Sequence, residues 1–269
     1  MRPGHLSDSS APSAADRPRG ARVLGSFIHA LSWDEALQRL SDWASRNESR
    51  VVCICNVHSV VTARRQTGFA QVLASADLAT PDGAPVAWML RRLGHRGQQR
   101  INGPDLMARY CALAAARGEP MFLYGSTPQV LDDLQAILRE RLPGIRIAGA
   151  ISPPFREVSP EEDRQIIDQI NHSGAGIVWV GLGCPKQEQW MAAHRPHVRA
   201  VMVGVGAAFD YLAGTTRRAP QWMQDAGLEW LHRLASEPVR LLRRYLFTNS
   251  YFVMKAAAQL ASHAFRRPL

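Results

Sequence analysis

The sequence predicts an α/β fold with a doubly wound, mostly parallel sheet of the Rossmann-like type and a helical, basic, amphipathic C-terminal appendage. Short, nearly continuous apolar runs such as 50–56 and 177–183 recur, as is typical of strands covered on both faces. Several of these runs end in glycine or polar residues and are followed by helical periodicity. After residue 215 the strand-like runs stop, and arginines become interspersed with large apolar residues.

Length and composition set the domain plan. A chain of 269 residues that is 46% hydrophobic can build one sizeable α/β domain and an appendage. We expect a disordered tail at 1–20, a Rossmann-like domain at 21–215 and a helical appendage at 216–269. No apolar run approaches the roughly 20 residues of a membrane span, and the N-terminus lacks a signal-peptide core. The four cysteines show no paired-ligand spacing, which predicts reduced, structural thiols in the cytosol.

The elements follow from periodicity and from start and stop signals. Capping-box sequences at 32–35 and 159–162 open two of the helices, and Gly118 ends another. Strands are predicted at 23–28, 50–56, 76–79, 121–126, 146–151, 177–183 and 200–206. Helices are predicted at 58–67, 84–93, 128–142, 160–172 and 222–234. Three more are predicted, one beginning at 33, one ending at 117 and one beginning at 185, and a last one lies at the C-terminus.

Asp82 lies in a tight connection between a strand and a helix, within Thr80-Pro81-Asp82-Gly83. Ligands of open α/β sheets bind at the carboxyl ends of strands, where this residue is expected. Its carboxylate could be a general base, a hydroxyl-binding group or a metal ligand. The alternative is that Asp82 caps the following helix, because Asp is a preferred capping residue.

Other polar residues follow strands in the same way. Asn56 ends the strand at 50–56, and Arg100 and Asn102 lie in the polar loop at 94–104. Asn102 could simply cap the next helix, as could Asp105. Arg100 has no capping role and is interpreted as an anion or substrate contact.

Glycine-ended strands indicate a site for a phosphate-bearing ligand. Gly183 precedes a helix whose first turn presents Lys186 and Gln187, and a helix N-terminus attracts negative charge. The strand at 200–206 ends similarly in Gly206, followed by Asp210. The turn at Gly125 after Tyr124 is a weaker signal of the same kind, because it lacks a Gly-rich phosphate fingerprint.

The net charge of +9 and the arginine-rich C-terminus indicate an anionic partner. A basic amphipathic segment with aromatic residues can lie on an anionic bilayer or bind nucleic acid. It can also be an ordinary core-packed helix with a solvated basic face. The membrane surface is the favoured interpretation, and the apolar face is compatible with self-association without defining an oligomer.

These motifs together resemble the WecG/TagA/CpsF glycosyltransferases in order and spacing, over roughly residues 22–250. The C-terminal run Gly227-Leu228-Glu229-Trp230-Leu231, with Arg233, Leu234, Glu237, Pro238 and Arg240, also looks like that family. The other shared motifs are Thr80-Pro81-Asp82-Gly83, Arg100-x-Asn102-Gly103-x-Asp105-Leu106, Phe122-Leu123-Tyr124-Gly125, Gly181-Leu182-Gly183-x-Pro185-Lys186-Gln187-Glu188 and Gly204-x-Gly206-x-x-Phe209-Asp210.

The resemblance implies an inverting transfer of a sugar from a UDP-sugar to a polyprenyl-diphosphate-linked sugar at the inner face of the cytoplasmic membrane. It implies roles in capsule, common antigen, exopolysaccharide or other secondary polymer synthesis, with N-acetylmannosamine, its uronic acid or glucose as donor sugar. Where many members have Thr-x-Asn, this chain has Ile54-Cys55-Asn56. A hydroxyl contact to the donor is therefore missing.

Site roles also follow from the resemblance. Asp82 matches the family's proposed base, Asn56 and Arg100 match active-site polar residues, and Gln187 matches a donor contact. The substrate-binding residues expected from the motifs and the resemblance together are Asn102, Tyr124, Gly125, Gly183, Lys186, Gln187, Gly206, Asp210, Arg233, Arg240 and Arg243.

The chemistry of sugar transfer agrees with these residues. An acceptor hydroxyl is a poor nucleophile, so a carboxylate should take its proton as the new bond forms. The sequence has no clear Asp-x-Asp pair for a divalent metal, so arginines and helix N-termini are expected to stabilise the UDP leaving group without metal or cofactor.

Two alternatives come from other classes of protein. A basic nucleotide- or nucleic-acid-binding module without catalysis would use Arg217, Arg218, Arg240, Arg243 and Arg244. No nucleic-acid motif accompanies these arginines, and no nucleic-acid partner is expected. A Rossmann-type oxidoreductase is disfavoured because no Gly-x-Gly-x-x-Gly follows the first strand.

Overall fold

A computed structural model describes residues 19–265, apart from the side chains of Arg240 and Arg244. The tail expected at 1–20 lies outside the described residues except for its last two positions. The chain then begins with a hairpin of strands β1 (Gly20–Val23) and β2 (Ser26–His29), which pair in antiparallel fashion.

This hairpin corrects the prediction of one strand at 23–28. Leu24 and Gly25 both have positive φ, 51° and 100°, and Val23 pairs directly with Ser26. Positive φ at both central residues is the geometry of the tight turn that best matches the twist of a hairpin. A leucine at the first of these positions hides the turn, because leucine rarely adopts this conformation.

Six parallel strands form the main sheet, in the spatial order β4-β3-β8-β7-β5-β6. Each pairs in parallel with its neighbours, which confirms the predicted doubly wound α/β fold. The strands are β3 (Arg50–Cys55), β4 (Leu78–Pro81), β5 (Pro120–Gly125), β6 (Arg146–Ile151), β7 (Ile177–Gly181) and β8 (Val201–Gly204).

Helices cover both faces of the sheet, and the buried side chains divide into two core clusters accordingly. On one face pack α1 (Trp33–Ser45), α5 (Gly103–Arg117), α6 (Pro128–Arg141) and α9 (Ala208–Leu212). On the other pack α2 (Val57–Arg65), α3 (Thr67–Ser75), α4 (Ala84–Arg92), α7 (Pro160–His172) and α8 (Lys186–His194).

Helix α3 is not among the predicted elements. It buries Phe69 and Leu73, which are one helical turn apart. Gln66, between α2 and α3, has extended backbone geometry and no side-chain capping bond. Without a capping signal, the sequence does not separate this short helix from the loop before β4.

The C-terminal segment contains α10 (Gln221–Asp225), α11 (Glu229–Ser236) and α12 (Pro238–Phe265). The single helix predicted at 222–234 is wrong, because Gly227 breaks it with a φ of 72°. The amide of Leu228 donates to the carbonyl of Met223 at 2.7 Å, and Gly227 donates to Gln224 at 3.1 Å. This pair of bonds is a Schellman ending, which glycine favours.

Helix α12 packs back onto the α/β domain. Leu241, Phe252 and Ala256 are buried, the last two in the core cluster that contains α2 and α3. Near the end of α12, Gln259 accepts a hydrogen bond from the amide of Leu24 at 2.9 Å. The appendage is therefore anchored to the hairpin as well as to α2.

Gly125 and Gly181 lie face to face at the ends of β5 and β7. A Cβ on Gly125 would lie 2.6 Å from the carbonyl of Gly181, and its φ of 127° disfavours any side chain. We expect Gly125→Ala to lower the free energy of unfolding by about 2 kcal/mol or more. The measurement is denaturant unfolding of both proteins at one pH.

Gly68 in α3 is the matched control, because a Cβ there would meet nothing within 4 Å. Gly68→Ala should leave stability unchanged or raise it by up to about 1 kcal/mol. Equal stability of the two variants would contradict the close contact between β5 and β7.

Candidate active site

Asp82 and Asn56 follow neighbouring strands and lie side by side. Cys55 of β3 pairs with Pro81 of β4, and the amide of Asp82 continues the ladder by donating to the carbonyl of Cys55 at 2.9 Å. Both side chains therefore start from the carboxyl edge of the sheet. Asn56 also caps α2, accepting from the amide of Ser59 at 3.2 Å.

Asp82 does not cap the helix that follows it. The capping residue of α4 is Gly83, and no side chain accepts a capping hydrogen bond there. The alternative interpretation from the sequence is therefore excluded, and the half-buried carboxylate is available for another role.

The surroundings of Asp82 raise the pKa of its carboxyl group from 3.8 to about 6. Burial is the main cause, because it disfavours the charged form. Arg100 opposes this shift, Glu229 adds to it through like-charge repulsion, and the amide of Gly83 and the charge of Arg233 again favour the anion. The group is thus a carboxylate at neutral pH, yet more basic than an exposed aspartate.

A well-anchored loop carries Arg100. The buried amide of Gln98 forms two hydrogen bonds of 2.9 Å with the backbone of Leu31, and the amide of Ile101 donates to the carbonyl of Pro81 at 2.9 Å. The loop thereby continues beside the end of β4. This pairing places Arg100 near Asp82.

Asn102 has the capping role considered for it in the sequence. Its Oδ1 accepts from the amide of Asp105 at 2.9 Å, and its Nδ2 donates to the Asp105 carboxylate at 2.6 Å. Arg218 contacts the same carboxylate through both Nη atoms, at 3.0 Å for Nη2. Although burial acts in the opposite direction, these hydrogen bonds hold the pKa of Asp105 below its ordinary value.

Glu229 connects this cluster to the C-terminal segment. Its Oε2 accepts from Arg100 at 2.7 Å, and its Oε1 is 3.4 Å from Nε of Arg218. The three side chains are between 18% and 23% exposed, so these ion pairs are partly shielded from water. The sequence pattern gave Glu229 no role beyond its place in the C-terminal motif, and it suggested Arg218 only for the alternative nucleic-acid-binding module.

Gly227 brings the C-terminal segment to the loop of Asp82. A Cβ on Gly227 would lie 2.8 Å from the Cβ of Ala84, at the start of α4. The close approach and the positive φ both require a residue without a side chain. Helix α11 therefore begins next to Asp82, with Glu229 and Arg233 on the helix that faces it.

A second group of candidate residues lies just after β7 and β8. The buried side chain of Gln187 accepts at Oε1 from the amides of Gly183 and Gly206, at 3.1 and 3.0 Å. Its Nε2 donates to Glu188 at 2.9 Å, and burial raises the pKa of the Glu188 carboxyl group. Gln187 thus joins two glycine loops, and all its polar atoms have protein partners.

The crevice between β5 and β7 is the topological switch point of the sheet. The chain leaves β5 toward the edge strand β6, but it leaves β7 in the opposite direction, toward β8. Ligands of doubly wound folds bind at such crevices. Gly125 and Gly183 border it, Lys186 is exposed on the first turn of α8, and the half-buried Asp210 follows β8.

The two groups of residues are separated along the same edge. Strands β4 and β7 are three steps apart in the sheet, which is roughly 14 Å at the usual strand spacing. An extended ligand could therefore contact the glycine loops at one end and reach Asp82 at the other.

The structure describes the side chains of two of the three remaining candidate residues, Tyr124 and Arg243. Tyr124 is buried in the core and stacks on Trp190 with ring centroids 4.4 Å apart. Arg243 is exposed on α12. The side chain of Arg240 lies outside the described residues.

A polar cavity of about 300 Å³ opens beside Arg100, between α4, α5 and α10. Its lining includes Arg91, Gln99, Gln221 and Gln224.

Across residues 19–265, no helix is both long and apolar enough to cross a bilayer. The same described residues contain no cluster of three or more His, Cys, Asp or Glu with the geometry of a metal site.

Comparison with known families agrees with this arrangement. The model of the glycosyl transferase WecG/TagA/CpsF family matches residues 21–266, which is nearly the whole chain and includes both groups of edge residues and the C-terminal segment. The chain therefore belongs to the WecG/TagA/CpsF family of glycosyl transferases.

Proposed function

We propose that this protein moves a sugar from a UDP-sugar to a polyprenyl-diphosphate-linked sugar in cell-surface polysaccharide synthesis, with inversion at the anomeric carbon and Asp82 as general base. The observation that carries the proposal is the state of Asp82. It lies at the carboxyl edge of the sheet, does not cap a helix, and has a pKa of about 6 that Arg100 and Arg233 both lower.

The reaction is a single displacement. An acceptor hydroxyl oxygen attacks the anomeric carbon, the bond from that carbon to the UDP oxygen breaks, and UDP departs with the electron pair. Asp82 takes the hydroxyl proton as the new bond forms. A base whose pKa lies near the working pH performs this transfer best, because it is ionised yet still basic.

The leaving UDP gains negative charge, which needs nearby cations and N–H donors. Arg100 and Arg233 lie close enough to Asp82 to affect its charge, and the helices after β7 and β8 present their N-termini to the same edge. We assign the nucleotide to the glycine loops held by Gln187, and we propose that these groups stabilise the leaving group without a metal.

We further propose that the C-terminal segment rests on the inner face of the cytoplasmic membrane. Large apolar side chains on it are exposed, together with Arg243. This combination favours an anionic bilayer, into which apolar side chains insert while arginines contact headgroups. The exposed apolar residues are Trp222, Trp230, Leu231, Val239, Leu242, Leu246, Phe247, Val253, Met254 and Phe265.

A nucleic-acid-binding module is a weaker proposal. It needs Arg218 on a free basic surface, whereas this side chain is ion-paired with Asp105 and Glu229. Such a module would also not explain a carboxylate with a raised pKa at the carboxyl edge of the sheet.

Asp82→Asn removes the proposed base while keeping the side-chain shape. We expect kcat/KM to fall about 10²- to 10⁴-fold, with UDP-sugar binding largely retained. The measurement is UDP release with a short prenyl-diphosphate-linked acceptor, beside the donor Kd from calorimetry. Turnover equal to that of the unsubstituted enzyme would refute the role of Asp82.

The same substitution should stabilise the protein at neutral pH. Folding raises the pKa of Asp82 above its unfolded value, so the ionised group destabilises the fold above pH 6. Asp82→Asn should therefore raise the free energy of unfolding at pH 7.5 by about 1–3 kcal/mol. This gain should shrink as the pH falls from 6 to 4 and disappear below the unfolded-state pKa of 3.8, where aspartate is protonated in both states. Destabilisation at pH 7.5 would contradict the burial of the charge.

The pH profile of kcat/KM gives an independent test. Activity should fall as the pH drops through about 6, because protonated Asp82 cannot accept the hydroxyl proton. Arg100→Gln should move this acidic limb to higher pH, since it removes a cation that favours the carboxylate. A limb near pH 4 in the unsubstituted enzyme, or a shift to lower pH in the variant, would contradict the assignment.

Vesicle binding tests the membrane proposal. Replacing both Leu242 and Leu246 by Ser should lower partition onto phosphatidylglycerol-containing vesicles about tenfold or more, because two exposed apolar side chains no longer insert. Co-sedimentation measures the partition. The matched control is Phe155→Ser, which removes an even more exposed apolar residue from the loop before α7 and should change nothing. Equal binding by all three proteins would exclude this surface.

A further inference from the structure

Arg100 and Arg218 contact the two oxygens of one carboxylate. Oε2 of Glu229 accepts from Nη1 of Arg100 at 2.7 Å, and Oε1 faces Nε of Arg218 at 3.4 Å. Two guanidinium groups converging on one anion form an arrangement that also suits phosphate, because both anions match the arginine fork. Glu229 thus occupies an anion site between the α/β domain and the C-terminal segment.

The two arginines are held in different ways. Arg218 donates to both oxygens of Asp105, so we expect it to keep its place when Glu229 moves away. For Arg100, Glu229 is the hydrogen-bond partner seen among the described residues. Moving the carboxylate would release one prepositioned guanidinium and one that can turn toward a new anion.

The position of this anion also fits the chemistry at Asp82. Glu229 lies close enough to Asp82 for the two negative charges to repel each other. The repulsion between Glu229 and Asp82 is unfavourable. The ion pairs of Glu229 with Arg100 and Arg218 offset it when no substrate is bound. A diphosphate would replace Glu229 in these ion pairs when the substrate arrives.

We propose that Arg100 and Arg218 form a diphosphate-binding site that Glu229 occupies in the unliganded enzyme, and that the diphosphate of a substrate displaces the Glu229 carboxylate. The choice of diphosphate rests on the proposed function. The ligand chemistry is common to the UDP donor and the prenyl-diphosphate acceptor, so the experiment includes both. Displacement would loosen the contact between α11 and the loop of Asp82.

The test is equilibrium binding of pyrophosphate, UDP and farnesyl diphosphate, measured by calorimetry without turnover. Glu229→Gln removes the competing charge while preserving the shape of the side chain, so Kd for pyrophosphate should fall about tenfold. Adding Arg218→Gln should cancel this gain, as expected if both residues act on one site. A larger gain for UDP or for farnesyl diphosphate assigns the site to donor or acceptor, respectively.

Asp225→Asn is the matched control. Asp225 lies on α10 of the same segment, is exposed and pairs with Gln221 at 2.8 Å. The substitution changes the net charge equally but removes no contact to Arg100 or Arg218, so pyrophosphate affinity should stay within about twofold. If Asp225→Asn increased pyrophosphate affinity as much as Glu229→Gln does, the effect would be explained by net charge alone, and the proposal would be overturned.

Hydrogen exchange of the unsubstituted enzyme keeps the proposal testable if Glu229→Gln fails to fold. Saturating pyrophosphate should speed amide exchange across 227–236, because the ion pairs that hold α11 are broken. Slower or unchanged exchange, or weaker pyrophosphate binding by a folded Glu229→Gln protein, would overturn the displacement. None of these measurements needs sugar transfer, so they test the diphosphate-binding site independently of the proposed reaction.

Discussion

The parallel direction of all six strands is the constraint on which the rest of the structure depends. Because parallel strands share one carboxyl edge, residues distant in sequence, such as Asn56, Asp82 and Gly206, emerge on the same side of the molecule. Each return connection must cross a face of the sheet, so the helices that cover the core also begin at this edge. The position of the candidate site is therefore a consequence of topology.

At one end of this edge, burial and the neighbouring arginines shift the pKa of Asp82 in opposite directions. Burial makes the carboxylate more basic, and the neighbouring arginines limit that effect. The balance suits the proposed proton transfer, since a fully exposed aspartate would be a weaker base and a deeper one would be neutral. This arrangement costs stability, as is common where a fold places a charge in a partly apolar environment for its chemistry.

The C-terminal segment takes part in the site as well as carrying an exposed apolar surface. Gly227 lets its backbone approach α4, Glu229 pairs with two arginines, and Gln259 ties the end of α12 to the hairpin. The same segment is the one we propose to lie on the membrane. Contact with a bilayer and access to Asp82 would then be linked through one helix, α11.

Periodicity and local chemistry were sufficient to predict most of the sheet, most helix starts and the edge position of Asp82, Asn56 and Gly183. These features depend on short-range patterns, such as buried strands, capping boxes and glycine turns. The same patterns could not reveal the hairpin turn at Leu24, the uncapped helix α3 or the break at Gly227, where a local choice is set by packing. They also could not show that Asp82 does not cap α4, because Asp is a preferred capping residue.

The ion-pair network was decided by tertiary structure alone. Arg100 and Glu229 are 129 residues apart, and Arg218 and Asp105 are 113 apart. No periodicity links residues at such separations, because their contact exists only after the sheet has formed and the C-terminal segment has docked. Sequence by itself therefore determined the fold class and the side chains at the sheet edge, whereas packing determined which charges meet there and how basic Asp82 becomes.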